Sequence, residues 1–143
     1  MYAQVDLDIK RPTERKGLKL ILIVSKNQRE ALRLGAMVAE RDYDSEILSS
    51  LEVLASRLGA DDVIAAFIDI DTIPTDNRCI RNLTLKHPAV YFYCISRDRF
   101  HPELKDAICY HIYACLNKPI DPDELNFFLD SMATDAKPID ERK

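Results

Sequence analysis

The sequence predicts a doubly wound α/β domain with a single five-stranded parallel sheet, and three observations support this prediction. Of the 143 residues, 47% are hydrophobic and 31% are charged, which is the balance of a globular protein with a core. Short apolar runs alternate with stretches whose apolar residues recur at helical spacing, in five β-α units. The run Leu20–Val24 is continuously apolar, as expected for a strand of a parallel sheet that is covered on both faces.

The alternating segments occupy residues 18–132, which we take as the domain. Residues 1–17 are expected to form an N-terminal arm, in which Val5–Lys10 alternates apolar and charged residues as a short strand does. Residues 133–143 are polar and are expected to form a C-terminal tail.

The first half of the domain predicts two β-α units. The strand Leu20–Val24 leads to a helix over Gln28–Glu40, in which apolar residues recur at helical spacing. Ser45–Leu48 is a weaker strand candidate. The capping box Ser49–Glu52 begins the second helix, and Gly59 ends it.

The second half predicts three further units. Its strands are expected at Val63–Asp69 (or as far as Asp71), Ala89–Ile95 and Ile112–Leu116. Its helices are expected at Thr75–Lys86, at Pro102–Tyr110, and after the N-cap Asp121 with Pro122 in the first turn. Right-handed crossovers place such units in one parallel sheet with helices on both faces, as in the flavodoxin-like sandwich.

Composition excludes several classes of function. The chain has 20 Lys and Arg residues against 24 Asp and Glu residues, a formal net charge of −4, whereas nucleic-acid-binding domains carry a basic patch. No apolar run approaches the roughly 20 residues of a membrane helix, and the N-terminus lacks the apolar centre of a signal peptide. We therefore expect a cytoplasmic protein that binds neither nucleic acid nor membrane. The four cysteines have no metal-ligand spacing, and no motif indicates an enzyme.

Polar side chains follow four of the predicted strands. In doubly wound sheets the functional site lies outside the carboxyl ends of the strands, so these side chains are expected to converge. A carboxylate, a hydroxyl and an ammonium in one place suit an acyl-phosphate switch, with the carboxylate as nucleophile, the hydroxyl bonding a phosphoryl oxygen and the ammonium neutralising its charge. The residues are Ser25 and Lys26, Asp69 and Asp71, Ser96 and Arg97, and Lys118 and Pro119.

At these positions the chain resembles the receiver domain of two-component response regulators. Leu116–Pro119 is similar to the family's L-x-K-P signature, and Ser96 stands where the family has Ser or Thr. Phe67–Asp69 falls where receivers have the phosphorylated Asp, and Val24–Asn27 falls where they have Val-Asp-Asp-Asn. The resemblance implies a phosphorelay signalling domain that acts through protein contacts.

The departures from the receiver pattern predict a degenerate site, that is, a pseudo-receiver. Ser25 and Lys26 replace the acidic pair that would hold Mg²⁺, which prefers carboxylate ligands. Cys115 replaces the rotating aromatic residue, and Arg97 replaces a small residue. We expect weak or no Mg²⁺-dependent phosphorylation and no cofactor. A static cluster of Lys26, Asp69 and Lys118, which with Asp71 has no formal net charge, would hold one conformation.

Two alternatives stay open. In the first, Asp69 accepts a phosphoryl group with Mg²⁺ bound; Asp71 is the second candidate, and the apolar run before Asp69 favours Asp69. In the second, a flavodoxin-like domain binds a small anion through Lys26, Arg97 and Lys118.

The expected partner is a protein, either a histidine kinase or an output domain. A homodimer is a further hypothesis, for which Phe127 is the predicted surface residue and Phe128 the predicted core residue. The sequence is also compatible with the amino-terminal module of a larger regulator.

Overall fold

A computed structural model of the chain describes residues 19–60, 62–97 and 112–134, which contain five strands and four helices. The strands are β1 (Lys19–Val24), β2 (Tyr43–Leu48), β3 (Val63–Asp69), β4 (Tyr91–Ser96) and β5 (Ala114–Asn117). The helices are α1 (Gln28–Ala39), α2 (Leu51–Arg57), α3 (Asn77–Lys86) and α4 (Pro122–Thr134). All neighbouring strands are parallel, in the order β2-β1-β3-β4-β5. The predicted fold class is confirmed.

The strand order determines where on the sheet a functional site can form. It reverses at β1, and a doubly wound sheet opens a crevice at such a point, outside the carboxyl ends of its strands. The register brings these ends level, because Val24 is paired with Ile68, Asp69 with Ile95, and Ser96 with Asn117. The polar residues that follow the strands therefore meet at one edge.

Two hydrophobic clusters cover the two faces of the sheet. Successive side chains of a strand point to opposite faces, so Leu22 and Val24 belong to one cluster and Ile21 and Ile23 to the other. The first cluster also contains buried residues of α2 and α3, and the second contains buried residues of α1 and α4. Each fully buried Leu or Ile contributes about 1.5–3 kcal/mol relative to exposure, so both layers of helices are held by apolar burial.

The first two helices begin at polar caps, and one of these caps differs from the prediction. Asn27 caps α1, and its side chain accepts a hydrogen bond from the backbone N–H of Glu30 at 3.1 Å. For α2 the predicted N-cap, Ser49, is wrong by one residue. Ser50 has the extended backbone of an N-cap (φ −155°, ψ 159°), and its hydroxyl accepts a hydrogen bond from the N–H of Val53 at 3.1 Å.

The other differences concern the ends of strands and helices. The strand β2 begins at Tyr43, two residues before the predicted start. Three elements begin two residues after their predicted starts, namely β4 at Tyr91, β5 at Ala114 and α3 at Asn77. The extension of the third strand to Asp71 is wrong, since the chain turns at Asp69, whose carbonyl accepts the N–H of Ile73 at 2.9 Å. The predicted arm 1–17 and helix Pro102–Tyr110, and most of the predicted tail 133–143, lie outside the described residues.

Phe127 and Phe128 divide as predicted. The side chain of Phe127 is 66% exposed, whereas Phe128 packs against the rings of Tyr93 and Tyr113. In residues 19–60, 62–97 and 112–134, no helix combines the length and the apolar character needed to cross a membrane.

Candidate functional site

The carboxyl edge of the sheet holds one buried carboxylate beside one buried ammonium. Asp69, the last residue of β3, is 2% exposed, and Lys118, directly after β5, has a side chain that is 7% exposed. The Nζ atom of Lys118 lies 2.8 Å from Oδ1 of Asp69. The two ends meet because β4, which separates the two strands, ends at the same level.

Four donors surround the Asp69 carboxylate. Its Oδ1 accepts a hydrogen bond from the backbone N–H of Asp71 at 3.1 Å, besides its contact with Lys118. Its Oδ2 accepts hydrogen bonds from the hydroxyls of Ser25 at 2.7 Å and Thr72 at 3.1 Å. An ionised carboxylate offers about four acceptor sites, so these donors use the full accepting capacity of Asp69. A buried charge that is paired and fully hydrogen-bonded in this way is tolerated inside a protein.

Lys118 contacts three carboxylates. Its Nζ atom lies 2.8 Å from Asp69, 2.8 Å from Oε1 of Glu30 and 3.4 Å from Oδ2 of Asp71. We call these four residues the Lys118 cluster; with three carboxylates and one ammonium, its formal charge is −2. Burial lowers the pKa of Lys118, but hydrogen bonds and attraction to Asp69 and Glu30 outweigh burial, so this pKa lies above its ordinary value.

Asp71 joins the cluster to the end of β4. Its Oδ1 accepts the hydroxyl of Ser96 at 2.8 Å, and its Oδ2 accepts the backbone N–H of Arg97 at 2.9 Å. Partial burial raises the pKa of Asp71, but the bonds from Arg97 and Ser96 and the charge of Lys118 outweigh burial, so this pKa lies below its ordinary value. Asp71 is therefore a stably ionised anion held by a hydroxyl, a backbone N–H and an ammonium.

The predicted place of Lys26 in a cluster with Asp69 and Lys118 is wrong. Lys26 is exposed, and its backbone N–H donates to the hydroxyl of Thr72 at 3.0 Å. Within the described part of the chain, its ammonium has no ion-pair partner. Because Ser25 turns inward, the next side chain projects toward solvent, and Glu30 supplies the charge next to Lys118 instead. The cluster is consequently acidic and not neutral.

The remaining predicted positions lie around this cluster. Arg97 contributes its backbone N–H, while its residue is exposed. Cys115 is opposite Cys94 on the neighbouring strand. It packs against the hydrophobic cluster on the α2 and α3 face and so lies within the sheet, not in the Lys118 cluster. Pro119 follows Lys118 through a cis peptide bond.

Two residues of the site, Glu30 and Thr72, were not predicted from the sequence. Glu30 lies in the first turn of α1, three residues after the Asn27 cap, so the pattern of polar residues directly after the strands does not include it. Thr72 lies in the turn after Asp69, where Ser or Thr hydroxyls commonly bond to nearby polar groups. The cap at Asn27 was the available signal for Glu30, since it places the start of α1 at the same edge of the sheet.

The acidic and other potential ligand side chains of the described residues do not form a metal site. In residues 19–60, 62–97 and 112–134, no group of three or more His, Cys, Asp and Glu side chains has an arrangement that would hold a metal ion. The three carboxylates that converge do so on the ammonium of Lys118.

Comparison with known proteins gives a clear structural result. No protein-family model matches the sequence, and no curated protein matches it significantly. Among solved structures, the chain is similar to the signal receiver domain of an HD domain-containing protein from Pseudomonas fluorescens Pf-5, with a TM-score of 0.71 and 18% identity. That alignment covers 82% of this chain and 95% of the other.

Two further structures give the same result. A CheY-like response regulator receiver domain from Methanospirillum hungatei JF-1 has a TM-score of 0.70 and 16% identity, covering 87% of this chain and 96% of its own. A CheY-like receiver domain from Methylobacillus flagellatus has a TM-score of 0.68 and 22% identity, covering 80% of this chain and 98% of its own. The chain therefore has the fold of response regulator receiver domains, as its resemblance at the strand ends implies.

Proposed function

We propose that the chain is a receiver-like module of two-component signalling that acts through protein contacts and is not controlled by phosphorylation. The observation that carries this proposal is the set of contacts made by Asp71. Its carboxylate takes the hydroxyl of Ser96, the N–H of Arg97 and a contact with Lys118. The resemblance to receivers assigns this hydroxyl and this ammonium to the phosphoryl group. Asp71 would thus act as a built-in anion in place of phosphate.

The surroundings of Asp69 support the same proposal. A carboxylate that attacks phosphorus needs an oxygen with a free lone pair pointing at the donor. The acceptor sites of Asp69 are used by Ser25, Thr72, Lys118 and the N–H of Asp71. Attack would require at least one of these bonds to break while the side chain stays buried, and an unpaired buried group is costly.

The residues present do not fit the Mg²⁺ ion that receiver chemistry uses. Mg²⁺ requires oxygen ligands in near-octahedral geometry. Here Ser25 stands at one metal position and donates its proton to Asp69, and Lys26, at the other, is an exposed cation. The three carboxylates that converge at this edge already contact the ammonium of Lys118, which neutralises part of their charge.

The proposed module would transmit its state to a protein partner, either a histidine kinase or an output domain, in the cytoplasm. We propose no catalytic role and no cofactor. Its net charge of −4 supports a protein partner over nucleic acid.

One observation favours the alternative of a working phospho-acceptor. Glu30 brings a third carboxylate to Lys118, so the cluster has three acids and one lysine. This cluster has a formal charge of −2. The resemblance to receivers implies the same charge for an active site, with three carboxylates and one lysine. In this alternative Asp69 would remain the acceptor, because it is the residue at the end of β3.

Intact mass after incubation with acetyl phosphate and Mg²⁺ separates these two functions. An ordinary receiver serves as the positive control, and Asp69→Ala and Asp71→Ala are treated in parallel. We expect no added phosphoryl group on the wild-type chain under conditions that label the control. A phosphoryl group on the wild-type chain that is absent from Asp69→Ala would overturn the proposal and establish the alternative.

A further inference from the structure

A cavity of about 250 Å³ lies between α1 and the segment that follows β5, next to the Lys118 cluster. Much of its wall is apolar, since it is lined by Ile23, Ala31, Leu34, Ile95, Pro119 and Ile120. The charged residues that line it are Arg29, Glu30, Arg33, Asp69 and Lys118. It is thus an apolar pocket with charges at its walls, the general character of small-molecule sites.

The charges at the pocket are of two kinds. Lys118 is paired with Glu30 and Asp69, and these three residues together have a formal charge of −1. Arg29 and Arg33 are exposed, and within residues 19–60, 62–97 and 112–134 neither guanidinium has an ion pair or hydrogen bond. With the two arginines included, the charged residues that line the pocket have a formal charge of +1, and this excess lies at Arg29 and Arg33.

The spacing of Arg29 and Arg33 suits the binding of a single carboxylate. Residues four apart on a helix lie on the same face, one turn from each other, and two like charges in this arrangement repel. A guanidinium binds a carboxylate with two parallel hydrogen bonds. A single carboxylate between Arg29 and Arg33 would relieve their repulsion at the edge of the apolar wall.

We propose that this cavity binds a small monocarboxylic acid with an aromatic or branched apolar body. Its carboxylate would lie at Arg29 and Arg33, and its apolar part would lie against Ile23, Leu34 and Ile120. An apolar protein cavity of roughly 150 Å³ is large enough for benzene, so the present one has room for a ring that carries a carboxylate. An inorganic anion would leave the apolar wall unfilled.

Calorimetric titration of the full chain with benzoate tests the proposal. Two comparison ligands each keep half of the predicted recognition, since benzyl alcohol has the ring without the charge and acetate has the charge without the ring. We expect benzoate to bind with a Kd in the millimolar range or below and both comparison ligands to bind at least about tenfold more weakly. Absence of benzoate binding, or acetate binding of equal strength, would overturn the proposal.

Substitutions locate the site. Arg29→Gln and Arg33→Gln are each expected to weaken benzoate binding about tenfold, the usual effect of losing one charge-assisted bond. Arg81→Gln, at an exposed position of α3 on the other face of the sheet, is the matched control and should leave binding unchanged. Ala31→Leu should abolish binding by filling the cavity; should it disturb α1, the arginine variants decide. Equal binding by wild type and both arginine variants contradicts the assignment.

Discussion

Oε1 of Glu30 and Nζ of Lys118 lie 2.8 Å apart, and this ion pair joins the first turn of α1 to the residue that follows β5. The two partners are buried to different extents, since the Glu30 side chain is 36% exposed and that of Lys118 is 7% exposed. Asp69, the other close partner of Lys118, is fully inside the protein. The Lys118 cluster therefore has an inner ion pair, which must be satisfied, and an outer one, which water can replace.

Loss of the inner pair is expected to be severe. Lys118→Met should lower the free energy of unfolding by about 3–5 kcal/mol, because it leaves the buried charge of Asp69 uncompensated. Urea unfolding at neutral pH measures this change. Adding Asp69→Asn to the Lys118→Met variant removes the orphaned charge and should recover part of the loss. A loss below about 1 kcal/mol in the single variant would contradict the structural role of the pair.

Loss of the outer pair is expected to be mild. Glu30→Gln should lower the free energy of unfolding by about 1 kcal/mol, because a half-exposed ion pair is weakened by solvent. Glu40→Gln is the matched control, since Glu40 is exposed at the end of α1 and has no ion pair in the described part of the chain. If both variants unfold at the same urea concentration, Glu30 does not stabilise the cluster.

The depressed pKa of Asp71 predicts sensitivity to acid. Because this pKa is lower in the folded chain than in the unfolded chain, ionised Asp71 stabilises the fold above the unfolded pKa of about 3.9, and this contribution is lost as pH falls through the folded pKa. Asp71→Asn should therefore flatten the decline in stability below about pH 5. Thermal unfolding across this range, with the exposed Asp42→Asn as control, measures the effect. An unchanged pH profile in Asp71→Asn would contradict the assignment.

Restoring the two acids should restore a metal site. Ser25→Asp with Lys26→Asp places two carboxylates at the carboxyl end of β1, the first of them at the position that contacts Asp69. A ligand at 100 times its Kd adds about 2.7 kcal/mol to stability, so Mg²⁺ should raise the Tm of this variant and leave that of the wild type unchanged. Potassium chloride of equal ionic strength is the salt control. No response of the variant to Mg²⁺ would show that the missing acids are not what excludes the metal.

Removal of the Tyr93 hydroxyl is expected to leave the stability of the fold unchanged or to increase it. Tyr93 is fully buried, and among the described residues its hydroxyl has no hydrogen-bond partner; burial also raises its pKa. Tyr93→Phe should leave the free energy of unfolding unchanged or raise it by up to about 1 kcal/mol, since an unsatisfied buried hydroxyl is removed. Tyr43→Phe is the comparison, because the Tyr43 hydroxyl donates to the carbonyl of Leu129 at 3.3 Å. A larger loss for Tyr93→Phe than for Tyr43→Phe would indicate an overlooked partner.

The strand ends were predictable from the sequence because their positions follow from topology. Parallel strands present their carboxyl ends at one edge, so Asp69, Ser96 and Lys118 were expected to meet, and they do. The partner of Lys118 was not predictable in the same way. Whether the side chain of Lys26 or that of Glu30 points toward Lys118 depends on the backbone conformation between β1 and α1. The spacing of apolar residues does not predict this conformation.

The same limit explains the shift of the cap from Ser49 to Ser50. Two adjacent serines carry the same side chain, and the capping-box pattern with Glu52 selects Ser49. The burial of Leu54 against the sheet sets the rotation of α2, and the helix begins after Ser50. Packing thus decides between two locally equivalent choices.

The contacts of Asp71 have a consequence for how such a module is regulated. A phosphoryl group can be removed by hydrolysis, whereas the carboxylate of Asp71 is part of the chain and stays next to Ser96 and Arg97 in the folded protein. Under the proposed function, no phosphatase ends the signal, and the strength of the signal is proportional to the number of folded copies of the protein. Synthesis of the protein then raises the signal, as a kinase would, and its degradation lowers the signal, as a phosphatase would. Because a loss of 1–2 kcal/mol in stability changes protein abundance roughly several-fold in cells, a substitution far from the site would alter the signal as a change of dose.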